Sequence, residues 1–140
     1  MKIKHLDHLQ LTVENLKESL DWYQRIFGFE RVEGGDRSGH PWAIIRSGEA
    51  MLCLYETPRP ETIDEAEIDD QPMHRLRHMG FRISDEAAWR ETLEREALKL
   101  YYYSPVRYGS STSWYVKDPT GYGIEVVCWD EDTIQFPAAA

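Results

Sequence analysis

Three residues of types that bind divalent metals stand in strand-like stretches of this sequence: His8, His78 and Glu125. His8 belongs to an alternating run, residues 5–13, whose polar members share one face of a predicted strand. His78 stands on the corresponding face of a second such run, and Glu125 lies within an apolar run near the end. An ionised carboxylate inside a sheet needs a cation, and two neutral imidazoles with one carboxylate leave open positions on iron or similar metals. We therefore expect one divalent ion at these three residues.

Each of the three residues also has an ordinary structural explanation. A strand histidine is often only a hydrogen-bonded residue of an inner face, and Glu125 has Arg82 and Arg107 as alternative partners. Taken singly, these explanations are the better ones. The three residues together, in symmetry-related places, favour the metal site.

The elements that must position these residues occur twice. In the first half, a strand over residues 5–13 is followed by a helix that Asn15 caps and that ends at Phe27. Three strands follow, around residues 30–33, 42–47 and 50–56. The second half repeats this order with a strand over 78–83, a helix capped by Asp85, and strands at 99–103, 113–117 and 122–129.

The repeated order predicts an α+β fold of two βαβββ modules that form a curved, mostly antiparallel sheet. We expect a single domain over residues 1–140, made of module one (4–56), a linker (57–75), module two (76–129) and a C-terminal tail (130–140). The acidic stretch 61–71 within the linker is interpreted as solvated.

Composition excludes several classes of partner. The formal net charge of -9 and pI near 5.0 repel phosphate backbones and anionic lipid, so we expect neither nucleic acid nor a membrane as partner. No signal peptide and no run of eighteen apolar residues is found in the sequence. Cys53 and Cys128 lie in apolar stretches and are interpreted as core cysteines of a cytoplasmic protein.

Four stretches resemble the vicinal oxygen chelate superfamily, which includes glyoxalase I, extradiol dioxygenases and the fosfomycin- and bleomycin-resistance proteins. They are Leu6-Asp7-His8-Leu9 with Thr12-Val13, SLDWYQRIFGF at 19–29, His78-Met79-Gly80-Phe81, and DPTGYGIE at 118–125. The resemblance rests on the order and spacing of these stretches, and it covers nearly all residues from Lys4 to Trp129. The resemblance implies a U-shaped sheet around a divalent metal (Fe, Mn, Ni or Zn). With the sheet edges left to cover, it also favours a homodimer.

The resemblance leaves two functions open. One is a metal-dependent enzyme in which the ion acts as a Lewis acid on an oxygen-bearing small molecule. The other is a bleomycin-resistance-like protein that binds a drug or metabolite without catalysis. Pro105 and Ile134 stand where fosfomycin-type enzymes have basic residues, and Val106-Arg107 stands where extradiol dioxygenases have a histidine, so neither activity is our first choice.

Further candidate residues surround the expected metal. Tyr115 is the catalytic candidate, which would orient an oxygen at the metal or donate a proton; a tyrosine that only fills the cleft wall is an equal alternative. Cys53 stands where the resemblance to glyoxalase I implies a glutamate base, and Glu56, on the opposite face by alternation, is a reserve ligand. Residues 104–112 are expected to form a lid or an ordinary surface loop. The substrate-binding candidates are Gln10, Cys53, Tyr55, Arg82, Arg107 and Ser113.

Overall fold

A computed structural model describes residues 1–58 and 76–134 of the chain. The chain divides into two compact units, Met1–Thr62 and Ile63–Ala140. The first unit contains β1 (Leu9–Val13), α1 (Leu16–Phe27), β2 (Glu30–Arg37), β3 (His40–Ser47) and β4 (Ala50–Glu56). The second contains β5 (Met79–Ile83), α2 (Glu86–Arg95), β6 (Val106–Tyr108), β7 (Ser111–Lys117) and β8 (Gly123–Trp129). The predicted α+β class and the repeated βαβββ order are confirmed, whereas the acidic stretch 61–71 and the end of the tail lie outside the described residues.

Each unit has its own open, four-stranded sheet. The strand orders are β1-β4-β3-β2 and β5-β8-β7-β6. In both sheets the first strand runs parallel to the last, and the other pairings are antiparallel. The register places Gln10 opposite Cys53 in the first sheet and Gly80 opposite Glu125 in the second. Cys53 is therefore the counterpart of Glu125 in the repeat.

One face of each sheet carries the apolar core, because alternate strand residues are apolar and meet an amphipathic helix. The opposite face of each sheet carries the polar candidates except Arg107. That residue stands opposite Thr112, on the same face of the second sheet as Trp114, so it does not lie beside Glu125 as a substrate contact would. The core side chains of the first unit include Leu11, Ala43, Ile45, Leu52 and Leu54 with Tyr23 and Ile26 of α1. Those of the second unit include Met79, Trp114, Val116, Ile124 and Val126, with Trp89 of α2 also buried.

Both helices begin where the sequence predicts, and α1 also ends there, whereas α2 ends at Arg95, before Ala97, which the apolar pattern would include. The side chains of Asn15 and Asp85 accept hydrogen bonds from the backbone N–H groups of Glu18 and Ala88 at 2.9 Å. Such contacts satisfy donors that a helix cannot pair internally. Gly28 ends α1 with φ 64°, a left-handed conformation that glycine adopts without strain. Neither described helix is long and apolar enough to cross a membrane.

Glu56 has a structural task at the start of α1. Its Oε2 accepts a hydrogen bond of 2.7 Å from the backbone N–H of Leu16. A carboxylate at this end of a helix is stabilised by unpaired N–H groups and by the helix dipole. The first sheet therefore turns Glu56 toward the helix, as the alternation of β4 predicts.

Two expectations for the segment before β7 are wrong. No strand covers residues 99–103, because Tyr102 and Tyr103 have φ of 56° and 55°, values that an extended strand does not allow. The second strand of this unit is instead β6, which pairs antiparallel with β7. Residues 104–112, expected as a lid or plain surface loop, thus contribute most of a β-hairpin.

A tight turn at residues 118–121 precedes β8, the strand that contains Glu125. Oδ1 of the buried Asp118 accepts hydrogen bonds from the backbone N–H groups of Thr120, Gly121 and Tyr122, at 3.0, 2.8 and 2.8 Å. Gly121 has φ 107°, a conformation that favours glycine. The Asp-Pro-Thr-Gly sequence therefore forms a turn, as its composition predicts, and fixes where β8 begins.

Candidate functional site

His78 and Glu125 meet on the face of the second sheet that lies opposite its apolar core, called the open face below. His78 directly precedes β5, and Glu125 lies in β8, the neighbouring strand. His78 Nε2 is 3.0 Å from Glu125 Oε2, and the two side chains are 40% and 19% exposed. The pairing joins residues from the two ends of the unit, so it depends on the parallel ladder between β5 and β8.

The other oxygen of the carboxylate is held by Ser113. Its hydroxyl donates a hydrogen bond of 2.6 Å to Glu125 Oε1, and Ser113 is fully buried. A hydrogen bond to a charged acceptor in a dry place is strong and directional. Oε1 is therefore fixed by the protein, and Oε2 is the oxygen turned toward His78.

Tyr115 forms the wall of the site on the β7 side. It stands opposite Glu125 in the β7–β8 ladder, and its ring lies edge-on to that of His78 with centroids 5.8 Å apart. Burial raises the pKa of the Tyr115 phenol, and the hydrogen bond with Tyr108 and the charge of Glu125 raise it further. The phenol is therefore protonated at neutral pH and can act as a hydrogen-bond donor beside the carboxylate.

A second tyrosine, Tyr108, completes this wall. The hydroxyls of Tyr108 and Tyr115 are 3.0 Å apart. Tyr108 stands opposite Ser111 in the hairpin, on the face of the sheet that also carries Ser113 and Tyr115. The contact therefore holds the Tyr115 hydroxyl on the side of the sheet where Glu125 lies.

His78 and Glu125 fit two neighbouring positions on a divalent metal ion. Bonds of about 2.1 Å that meet at a right angle hold two donor atoms about 3.0 Å apart. His78 Nε2 and Glu125 Oε2 have this separation, 3.0 Å. A separation of 3.0 Å is also normal for a hydrogen bond, so either a proton or a metal ion can lie between the two atoms. Among the described residues, neither unit by itself brings three His, Cys, Asp or Glu side chains together as a complete metal site.

The two arginines considered as alternative partners of Glu125 are held elsewhere. Arg107 forms an ion pair with Asp130, and it holds the pKa of that carboxyl below its usual range mainly through their hydrogen bond. Arg82 Nη2 donates to the backbone carbonyls of Glu131 and Asp132, at 3.1 and 2.5 Å. The carboxylate of Glu125 therefore contacts His78, Ser113 and the Tyr115 phenol rather than either guanidinium.

The first unit holds the remaining candidates. His8 lies just before β1, and its Nδ1 is 2.7 Å from Asp7 Oδ2, a contact that orients the ring. Gln10 and Cys53 stand opposite each other in the β1–β4 ladder, a pairing that the sequence analysis did not predict. Both cysteines are half-buried free thiols rather than core residues, and burial raises the pKa of the Cys53 thiol, with Asp7 and Glu33 adding to the shift.

Tyr55 has an aromatic partner that the sequence did not suggest. Its ring stacks on that of Trp42, with centroids 6.4 Å apart and an angle of 11° between the ring planes. The two residues stand opposite each other in the β3–β4 ladder, on the face that also carries Cys53. Alternation along β3 would have placed Trp42 on this face, once the register with β4 was known.

Comparisons with known proteins agree with this fold. The family model described as Glyoxalase/Bleomycin resistance protein/Dioxygenase superfamily matches residues 5–126. The chain is similar to a glyoxylase/bleomycin resistance protein/dioxygenase domain from Frankia sp. EAN1pec (TM-score 0.74, 19% identity, covering 94% of this chain and 96% of that one). It is also similar to a glyoxalase family protein from Enterococcus faecalis (TM-score 0.72, 16% identity, 91% and 99% covered).

A third similar structure is the fosfomycin resistance protein FosX from Listeria monocytogenes, with a TM-score of 0.65, 20% identity, and 89% of this chain and 91% of that chain covered. At these identities the likeness concerns the fold. The family model covers most of the sequence, including His8, His78 and Glu125. The chain belongs to the Glyoxalase/Bleomycin resistance protein/Dioxygenase superfamily.

Proposed function

We propose that this protein is a metal-dependent enzyme that acts on an oxygen-bearing small molecule, with His8, His78 and Glu125 as ligands to one divalent ion. The observation that carries the proposal is the pairing of His78 Nε2 with Glu125 Oε2 at 3.0 Å, while Ser113 holds Oε1. A half-buried carboxylate oriented in this way is a prepared metal ligand. His8, from the first unit, is the proposed third ligand, supplied by the same chain or by a second copy.

A bound ion would supply Lewis acidity toward an oxygen of the substrate, and Fe, Mn, Ni and Zn all suit a set of two histidines and one glutamate. The protein's own groups have separate tasks. Ser113 holds the carboxylate of Glu125 in one orientation. Tyr115, protonated and fixed by Tyr108, is the proposed donor of a hydrogen bond or a proton to the substrate from its hydroxyl.

The proposed substrate is not a phosphonate such as fosfomycin. Arg107 stands opposite Thr112, on the face of the second sheet away from Glu125, and pairs with Asp130, whereas Arg82 binds main-chain carbonyls, so neither guanidinium is placed to hold a phosphonate. The Gln10, Cys53 and Tyr55 side chains are the proposed substrate contacts of the first unit. Their amide, thiol and phenol groups suit a polar, uncharged molecule better than a dianion.

We also propose that the protein works as a homodimer in the cytoplasm. Family members commonly act as dimers on small molecules, and each described sheet has two edge strands to cover. The two thiols are free, as in a reducing compartment. The sedimentation coefficient of the metal-loaded protein measures the oligomeric state directly.

Metal uptake tests the proposed function. Protein that has been stripped with EDTA should bind Mn²⁺, Fe²⁺, Ni²⁺ or Zn²⁺ with a stoichiometry of about one ion per complete site, measured by calorimetry and elemental analysis. A binding protein without catalysis, the alternative function, would take up its small molecule equally well with and without EDTA. Failure of every one of these ions to bind in stoichiometric amounts would contradict the metal-dependent enzyme.

Replacing Ser113 with alanine should weaken metal binding about 10- to 100-fold without removing a ligand. The physical reason is that Glu125 Oε1 loses the hydrogen bond from the Ser113 hydroxyl, so the carboxylate is held less firmly in the orientation that faces His78. Calorimetric titration of the stripped variant measures the change. Ser113→Thr, which keeps the hydroxyl, should recover most of the affinity. Equal affinities for the alanine variant and the natural protein would show that Ser113 does not act on the carboxylate.

A further inference from the structure

Gly80 stands beside the candidate metal ligands for no reason that its backbone or packing explains. It lies in β5 opposite Glu125, and it shares the open face with His78, two residues before it. Its φ is not positive, so the conformation does not require glycine. A Cβ built on Gly80 would meet no heavy atom of the described chain within 4 Å, so no close approach requires glycine either.

A side chain at this position would also suit the sheet. Glycine weakens a strand because it offers no side chain to pack and loses more conformational freedom on folding. The first unit carries Gln10 at the corresponding place, opposite Cys53. The same architecture thus accepts a long side chain where the second unit has none.

The other approaches to the carboxylate are filled. Ser113 occupies Oε1, His78 faces Oε2, and Tyr115 stands on the β7 side of Glu125. The side toward β5 remains, and there the missing side chain of Gly80 leaves open space next to Glu125. This space is large enough for at least part of a small molecule, since even the first carbon of a side chain finds no neighbour there.

We infer that Gly80 is a specificity-determining residue: the absence of its side chain makes the room in which the substrate lies against the metal ligands. The inference rests on the proposed function, and it concerns the substrate rather than the metal. A side chain at position 80 should therefore exclude the small molecule in proportion to its size, while His78 and Glu125 keep their contact and continue to bind the ion.

Acetohydroxamate, a small planar molecule with two neighbouring oxygens, is the probe for this test. It is titrated into Mn²⁺-loaded protein, and its binding is followed by the loss of the water-proton relaxation that open Mn²⁺ positions cause. The variants are Gly80→Ala, Gly80→Gln and Gly80→Leu. Gly109→Leu is the matched control, because Gly109 also has no neighbour within 4 Å and no positive φ, but lies at the tip of the β6–β7 hairpin.

We expect Gly80→Leu to bind Mn²⁺ within about threefold of the natural protein and acetohydroxamate at least tenfold more weakly. Gly80→Ala should show a smaller loss, and Gly109→Leu none. Circular dichroism checks that each variant folds, and Gly80→Gln replaces the leucine variant if that one does not.

Equal affinity for the probe in the folded variants would overturn the inference alone. Loss of Mn²⁺ itself in the Gly80 variants would overturn it too, since the space would then serve the ion. Absence of Mn²⁺ uptake by the natural protein would refute the proposed function, and this inference with it.

Discussion

Replacing His78 with alanine should abolish stoichiometric binding of a divalent metal, with a loss of affinity of more than about 100-fold. The imidazole is one of two donors that the second unit brings within 3.0 Å of each other, and alanine offers no donor in its place. Metal content after equilibrium dialysis against micromolar Mn²⁺ or Zn²⁺ measures the effect. Because an outer hydrogen-bonding partner such as Ser113 changes affinity by 10- to 100-fold, the loss of a ligand should exceed that range.

Two further variants make the result specific. His40→Ala removes an exposed histidine that contacts the backbone carbonyl of Glu56, so the variant should bind metal as the natural protein does. Glu125→Gln keeps the size of the side chain and an acceptor for the Ser113 hydroxyl, but removes the charge, and it should lose metal nearly as completely as His78→Ala. Near-stoichiometric metal in both His78→Ala and Glu125→Gln would show that the pair is a structural ion pair.

The elements of this fold were accessible from local sequence patterns. Alternation over a few residues marks β5, and a polar residue ahead of an apolar helical pattern marks the caps Asn15 and Asp85. These signals depend on neighbours along the chain. The sequence analysis expected His78 and Glu125 to share one ion because of their types and their places in the repeat. Their contact depends on the adjacency of β5 and β8, which no local pattern shows.

Features that depend on distant contacts escaped the sequence analysis. The carbonyl partners of Arg82 lie 49 and 50 residues further along the chain, and no local pattern encodes them. Tyr108 was missed because residues 99–103 look like the second strand of the unit, so β6 was not predicted. The left-handed conformations of Tyr102 and Tyr103 break that apparent strand. Without β6, the register that brings Tyr108 to Tyr115 could not be deduced.

The same reasoning explains why the space beside Gly80 was overlooked. Glycine in a strand pattern gives a local signal only for a bulge or a close approach, and the structure has neither at this position. The proposed role of Gly80 in specificity is inferred from its register with Glu125 and from comparison with Gln10 in the first unit. Both of these are properties of the paired strands rather than of the residue.

Acidification should release the metal and remove the stability that it provides. Histidine binds metal as a neutral imidazole, so protons compete with the ion as the solution is taken from about pH 7.5 to about pH 5. At neutral pH, a metal concentration of 100 times the dissociation constant should stabilise the folded state by about 2.7 kcal/mol, which raises the melting temperature by roughly 8 °C. Melting curves recorded with excess Mn²⁺ and with EDTA measure this difference at each pH.

The direction of the change follows from competition for the same atom. The lone pair of His78 Nε2, 3.0 Å from Glu125 Oε2, can hold either the ion or a proton, and acid favours the proton. The metal-dependent gap between the two melting curves should therefore be present at pH 7.5, shrink on acidification and vanish by about pH 5. In His78→Ala the gap should be absent throughout, since the variant binds no ion that protons could displace. A gap that kept its size down to pH 5 would mean that the ion is held by groups other than these histidines, and would exclude His8 and His78 as its ligands.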